Sequence, residues 1–308
     1  MKRKTIAGLI AVVALVAVAM FAGCIEEEQM STAEIKAMVL ATAENIDTYK
    51  FDLDMTQKTL ISNETSDMEI MTISTGKGAA DNINEKLMME MTMTMKMPEK
   101  AEMPDTMDMK MDMYFINNTM YTKMDMGIPG LPTQWTKMEM PEGYEESWES
   151  QNQVDQQIEL LKVSEMELLE DEKVNDVDCY VLKLTPDIEK YWDIMMKQEG
   201  MSELMQNLQQ NVSFDIGEMI KEMSLKYWIA KDTKFPMKTE MQIKMVMSSE
   251  DLNIPETEEK FTMTMDQRTD MVFYDYNKPV TIELPKEAES AAGFPMFPLM
   301  NQTATTAA

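Results

Sequence analysis

The chain has 308 residues, with 28 Lys+Arg against 55 Asp+Glu, a net charge of −27 and no histidine. So acidic a balance argues against nucleic acid as a partner, because phosphate binding needs a basic footprint; adsorption to anionic headgroups is disfavoured for the same reason. The missing histidine removes Ser–His–Asp and Cys–His catalysis, the commonest general base and the commonest metal ligand.

The first elements form an export signal. Lys2, Arg3 and Lys4 precede an apolar run from Ile6 to Ala22, and "FAGC" closes it. This is the tripartite pattern of a cleaved leader, residues 1–23. Cys24 is the lipidation candidate, because a thiol at the new N-terminus can take a diacylglyceryl group. The alternative is an uncleaved anchor, at the short end of what spans a bilayer. Either way the rest is expected outside the cytoplasm, on the outer face of the cytoplasmic membrane, tethered there through residues 24–30. With Cys24 acylated, Cys179 stands alone, so no disulfide framework or Cys-based zinc site is expected. Cys179 lies in the apolar alternation "VDCYVLKL" and reads as a packing thiol.

A domain over 31–286 follows. Ser31 and Glu34 have capping-box spacing. Ile35, Met38, Val39, Thr42 and Ile46 share one helical face. From Tyr49 the period becomes two: Tyr49, Phe51, Leu53 and Met55 alternate with Lys50, Asp52, Asp54 and Thr56. That is a half-buried antiparallel strand. Similar runs are predicted at about 67–75, 85–97, 106–116, 119–126 and 134–140, separated by the turn-forming "SNETS", "GKGAADN", "PEKAEMPD", "NN" and "GIPGLP". Tyr144, Trp148, Val154, Ile158 and Leu161 predict a second helix. The strands "VSEMELLEDEKVN" and "DCYVLKLTP" follow, joined by "NDVD". Thr185-Pro186 reads as the start of a third helix, continued by Ile188, Tyr191, Trp192, Met195, Met196 and the residues from Met201 to Leu208. "MSLKYWIAKD", "FPMKTEMQIKMVMS", "EKFTMTMDQRTDMVFYDYN" and "PVTIELP" read as strands. The tail, 287–308, is expected to be disordered. No βαβ alternation occurs. The predicted class is α+β: a large curved antiparallel sheet, a half-barrel, with about three helices packed on or plugging its concave face.

The sequence holds 39 Met, more than its Phe, Tyr, Trp and Pro together. Met89, Met91, Met93, Met95 and Met97 share one side of a strand. Met107, Met109, Met111, Met113 and Phe115 share a side of the next, and Met237, Met241, Ile243, Met245 and Met247 do so later, as do Phe261, Met263 and Met265. Val and Ile have better strand propensity, whereas Met is flexible and polarizable and adapts to varied apolar shapes. One reading is a wall for an acyl chain, each buried methylene contributing about 0.8 kcal/mol. Its lining candidates are Phe51, Leu53, Met55, Met89, Met91, Met93, Met95, Met109, Met111, Met113, Met241, Met245, Met263 and Met265. The second reading is a closed core that uses Met as a Leu substitute. A third is a Cu(I) site, since thioethers suit that ion, although the Met residues are dispersed and no His accompanies them. No calcium loop, phosphate loop or nucleophile elbow is present. No catalytic residue, resident metal or cofactor is expected. Asn63, Asn117, Asn211 and Asn301 stand in N-x-[ST] sequons and are glycosylation candidates.

Five segments also carry a resemblance. "AENIDTYKFDLDM", "MYTKMDM…QWTKMEM", "LEDEKVNDVDCYVLKLTPD", "LKYWIAKDTKFPMKTEMQI" and "YDYNKPVTIELPKEA" are similar, in that order, to segments of LolA/LppX-like lipoproteins. The likeness covers about Ile35 to Ala288, with Ala230 in place of the usual acid. It implies a U-shaped half-barrel that binds lipids or lipoprotein acyl chains on its concave face and has no catalytic residues. The Met lining is richer than that family's, and the tether departs from a soluble shuttle. The expectation is therefore a non-enzymatic, lipid-anchored binder of a lipid or acyl chain. The alternative is a structural or sensory surface lipoprotein with a closed core.

Overall fold

The computed structural model describes residues 30–63, 65–98, 105–128, 131, 133–139, 152–190, 219–251 and 260–293. Helix α1 (Thr32–Ala43) starts as its sequence requires. The Ser31 Oγ accepts from the Glu34 backbone N–H, and the Glu34 carboxylate accepts from the Ser31 backbone N–H. Two orphan donors of the first turn are thereby satisfied. Ile35 and Val39 are its buried residues.

Strands β1 (Thr48–Asn63), β2 (Asp67–Asp81), β3 (Lys86–Lys96), β4 (Thr106–Ile116), β5 (Thr119–Asp125) and β6 (Trp135–Glu139) form an antiparallel meander. Helix α2 (Gln153–Lys162) interrupts it. Then come β7 (Ser164–Leu168), β8 (Glu172–Val174), β9 (Val177–Pro186), β10 (Ile220–Ala230), β11 (Pro236–Ser248), β12 (Phe261–Tyr274) and a two-residue β13 (Ala292–Gly293). All thirteen strands join one sheet, in the order β13-β6-β5-β4-β3-β2-β1-β12-β11-β10-β9-β7, with β8 paired to β9. The sheet closes the long loop of the chain by pairing β1 with β12 over fourteen residue pairs, Lys50–Asn63 against Phe261–Tyr274. Tight hairpins use the residues that tolerate a left-handed backbone. Asn117 and Asn118 have φ of 52° and 56°, and Asn175 and Asp176 have 50° and 65°, as a two-residue turn matching the strand twist demands. No described helix is long and apolar enough to cross a membrane.

One end of one sheet face carries the main core. Tyr49, Phe51, Leu87, Phe115, Leu182, Leu184, Leu225, Tyr227, Met271 and Phe273 pack there with Ile35 and Val39 of α1 and Val154, Ile158 and Leu161 of α2. A buried amide network pins α2 to the sheet. The Tyr49 hydroxyl donates to Asn152 Oδ1 at 2.7 Å, Asn152 Nδ2 donates to Asn82 Oδ1 at 3.0 Å, and Asn152 Oδ1 also caps α2 by accepting from the Val154 N–H. Replacing Asn152 by Ala removes a helix cap and two buried hydrogen bonds. We expect a loss of about 2 kcal/mol in urea denaturation. Asn152→Asp, which keeps the cap acceptor and loses the donor to Asn82, should retain part of that stability.

Several expectations are corrected. "GKGAADN" is not a turn throughout, for β2 runs on to Asp81 and the reversal is made by 82–85. Gly78 lies under the Phe51 ring, where an added Cβ would come within 2.3 Å of Phe51 Cζ and 2.7 Å of the Met88 carbonyl oxygen. The glycine is there for close approach. "PVTIELP" is not a strand: Val280, Ile282 and Leu284 instead pack on Ala79, Ile116, Met88 and Tyr114. Of the predicted tail, residues 287–293 pass through a 3₁₀ turn (Lys286–Ala288) with Ala288 fully buried to the parallel pairing of β13 with β6; residues 294–308 lie outside the described residues. Pro186 ends β9 rather than opening a helix, and Asp187 makes the cap, accepting from the Lys190 N–H. The remainder of the third predicted helix, from Tyr191, lies outside the described residues, as do Tyr144 and Trp148 of the second.

Candidate ligand-binding face

Residues directly opposite in an antiparallel pair point to the same side of the sheet. Register therefore assigns the faces. Leu53 pairs with Met271 and Gly76, Met55 with Thr269 and Ser74, and Gly76 with Met91. Met89, Met91, Met93 and Met95 pair with Met113, Met111, Met109 and Met107. Across the other flank, Met241 pairs with Thr269, Met245 with Met265 and Met247 with Met263. All the residues proposed from sequence as a lining, from Phe51 to Met265, thus stand on one face. Phe51 is buried in the core and the others are half-buried. Met237 is the exception among the alternating thioethers. It is the extra residue where the β10–β11 register shifts, and it packs with Cys179, Val181 and Trp228 on the opposite side.

Further methionines belong to the face and escaped the sequence reading, among them Met68, Met223 and Met271. Met120, Met124 and Met138 line a cavity of about 420 Å³ with Thr122, Gln134, Thr136 and Lys137. Their strands are short, so the alternation is brief. The signal was the frame itself: Met120 pairs with Phe115, and Met124 with Met111.

The face is not wholly apolar. Gln57 and Thr59 continue the Leu53–Met55 frame, and register sets Gln57 beside Thr72 and Gln267. Thr72, Ser74 and Thr269 are buried at 7%, 0% and 9% exposure. Gln57 Nε2 donates to Thr59 Oγ1 and Gln267 Nε2 to Thr269 Oγ1, each at 3.1 Å. The Ser74 Oγ is buried without a hydrogen-bond partner. Leaving such a group unpaired costs about 1–3 kcal/mol.

Along the central strands charge stands on the other side, with Lys137 at the rim of the smaller cavity. The paired positions of this face in β1–β5 and β9–β12 hold no Asp, Glu, Lys or Arg. On the opposite face Arg268 bridges Asp270 at 2.8 Å and Glu240 at 3.0 Å, and Lys238 lies 3.3 Å from Asp270. Burial works to raise the Asp270 pKa, but these cations outweigh it and hold the carboxyl below its usual value. A second cavity, about 560 Å³, lies mainly against this polar side, among Asp52, Asp54, Lys77, Glu90, Lys110 and Asp112. Leu53, Gly76 and Met91 also border it, so one thioether reaches this cavity and three reach the smaller.

Cys179 is fully buried. Burial, with nearby Asp178, Asp232 and Asp171, pushes its thiol up to about 11. It is inert packing, since the thiolate is the reactive form. A thiol-specific reagent at pH 8 is expected to modify Cys179 only as fast as the protein unfolds; rapid modification of the folded protein is the contrary result. Among the described residues no group of three or more His, Cys, Asp and Glu is arranged for a metal ion. Asn63 Oδ1 accepts from the Thr65 and Ser66 N–H groups in its turn, and Asn117 is exposed in another. Cys24, Asn211 and Asn301 lie outside the described residues.

The chain belongs to the family of unknown function DUF6612, whose model matches residues 31–293. No curated protein matches it. Among solved structures it is similar to the lipoprotein LppX of Mycobacterium tuberculosis, at 10% identity and a TM-score of 0.35, over 82% of this chain and 100% of that one. It is similar to a LolA superfamily protein from Nitrosomonas europaea, at 13% identity and a TM-score of 0.20, over 81% and 94% of the two chains. A third likeness, to the MucA/MucB complex of Pseudomonas aeruginosa, has 8% identity and a TM-score of 0.25, over 76% of this chain and 56% of that one.

Proposed function

We propose that this is a lipid-anchored, extracytoplasmic binding protein that holds a lipid or acyl chain against its methionine face. The observation that carries the reading is a broad sheet face of half-buried thioethers without charge, beside an apolar core closed by α1 and α2. On this reading the ligand side is the concave one, and the helices fill one end of it. Thioethers adapt to apolar shapes that branched side chains would exclude, and ligand sites are apolar with few polar groups. The role is binding, with no catalytic step and no cofactor. The anchor rests on the leader and Cys24, which put the domain on the outer face of the cytoplasmic membrane.

The test is native mass spectrometry of the full chain, delipidated and then incubated with membrane extract. A lipid adduct and saturable binding of a fluorescent fatty acid are expected. Absence of both overturns the proposal and favours a structural or sensory lipoprotein. That second reading draws on the filled end of the face, where Phe51, Phe273 and Tyr227 are already covered. The anchor has its own prediction. Cys24→Ser should abolish acylation and either release the protein or leave its leader unprocessed; an unchanged membrane-bound form of the same mass contradicts it.

A further inference from the structure

We infer that the polar row across the methionine face receives a neutral carbonyl of the ligand, so that the preferred ligand is an acyl ester or amide, neither a bare hydrocarbon nor a charged-headgroup lipid. The inference rests on the binding reading above and narrows it to a chemical class.

The row is an interior feature. Gln57, Thr72, Ser74, Gln267 and Thr269 lie on the adjacent strands β1, β2 and β12 in the middle of the sheet. Toward one end the same face continues into Leu53, Met271 and Phe51. Toward the other it continues into Ile61, Met68, Met263 and Met265. A polar band with apolar surface on both sides suits a molecule that is oily at both ends and polar between, which describes an ester-linked acyl chain.

The hydrogen-bonding inventory points the same way. The Ser74 hydroxyl is at 0% exposure, faces the side shared by Met55 and Met93, and has no partner. A hydroxyl kept there at a cost is a donor awaiting an acceptor. Each glutamine spends one N–H on a neighbouring threonine hydroxyl, and its amide retains a second N–H. Ser74, Gln57 and Gln267 thus keep unspent donors on one face of three adjacent strands, where a ligand carbonyl can accept from them. A carboxylate or phosphate would lose its hydration there with no cation to offset the cost, for none stands on this face at the paired positions of these strands.

The experiment is displacement of a bound fluorescent naphthylamine probe from the full chain by three competitors of equal chain length: a fatty acid methyl ester, the alkane, and the fatty acid carboxylate at pH 8. The ester is expected to compete at least about tenfold better than the other two. Ser74→Ala, which removes only an unpartnered hydroxyl and should fold at least as well, is expected to bring the ester to within about threefold of the alkane while leaving alkane competition unchanged. Gln57→Leu with Gln267→Leu should do the same. Equal competition by ester and alkane in the unmodified protein, a preference for the carboxylate, or an ester preference that survives Ser74→Ala overturns this inference and leaves the binding reading intact. Failure of the probe and of every competitor to bind overturns both.

Discussion

Substituting lysine for Met93 and Met109 together should weaken binding of an acyl ligand about 100-fold, equivalent to ~2.7 kcal/mol, without unfolding the protein. The two side chains face each other across β3 and β4 and are half-buried. A lysine there has a stem long enough to carry its ammonium toward water, so the fold tolerates it. A ligand laid over the same surface must desolvate that ammonium or leave it in its path, and an unpaired charge in an apolar contact is costly. The control is Thr94→Lys, one residue along β3 on the opposite side, where Thr94 already bonds to Asp108. It should leave affinity unchanged and add a surface ion pair of little consequence. Titration with a fluorescent fatty acid measures all three proteins. Equal losses from both faces, or no loss from either, would remove the methionine face from the account.

Gly78→Ala should destabilise the domain by about 3 kcal/mol, at the upper end of what overpacking usually costs. The added methyl meets the Phe51 ring at 2.3 and 2.6 Å and the Met88 carbonyl oxygen at 2.7 Å. Phe51 cannot simply swing away. It is fully buried, its backbone is fixed between Phe273 and Gly78, and its ring lies 6.2 Å from that of Tyr49. The Met88 oxygen belongs to the β2–β3 ladder and is no freer. Gly76→Ala makes the comparison: its added Cβ meets a backbone oxygen at 3.3 Å and side chains only at 3.7 Å, so the loss should be under about 1 kcal/mol. Chemical denaturation of both variants decides the matter. Equal stability of the two would mean that Phe51 does not rest on Gly78.

These glycines show where the sequence is ambiguous. A Gly-Lys-Gly between alternating runs has the composition of a turn, and it is equally the composition of a strand that admits a neighbouring ring. Only the register of β1 against β2, which sets Phe51 opposite Gly78, separates the two. The α1 start was legible because the capping box is local: Ser31 and Glu34 satisfy each other within one turn. The thioether face was legible because a period of two survives from Met89 to Met95 and from Met107 to Met113 whatever the strands pair with. The polar row was not read. Gln57 and Thr59 look like the wet side of a strand, and only their continuity with Leu53 and Met55 puts them on the oily one. "PVTIELP" misled in the reverse direction. Val280, Ile282 and Leu284 alternate because an extended segment lies on a surface, and alternation alone cannot tell that from a hydrogen-bonded strand.

The most direct measurement is carbon-13 methyl NMR of the methionines in the full chain, recorded with and without an acyl ester. Met55, Met91, Met93, Met109 and Met111 should shift together as the ligand is added, while Met71 and Met88 on the opposite side and Met237 in the outer cluster stay in place. Shifts at those last three with none at the first five would place the ligand elsewhere and contradict the account.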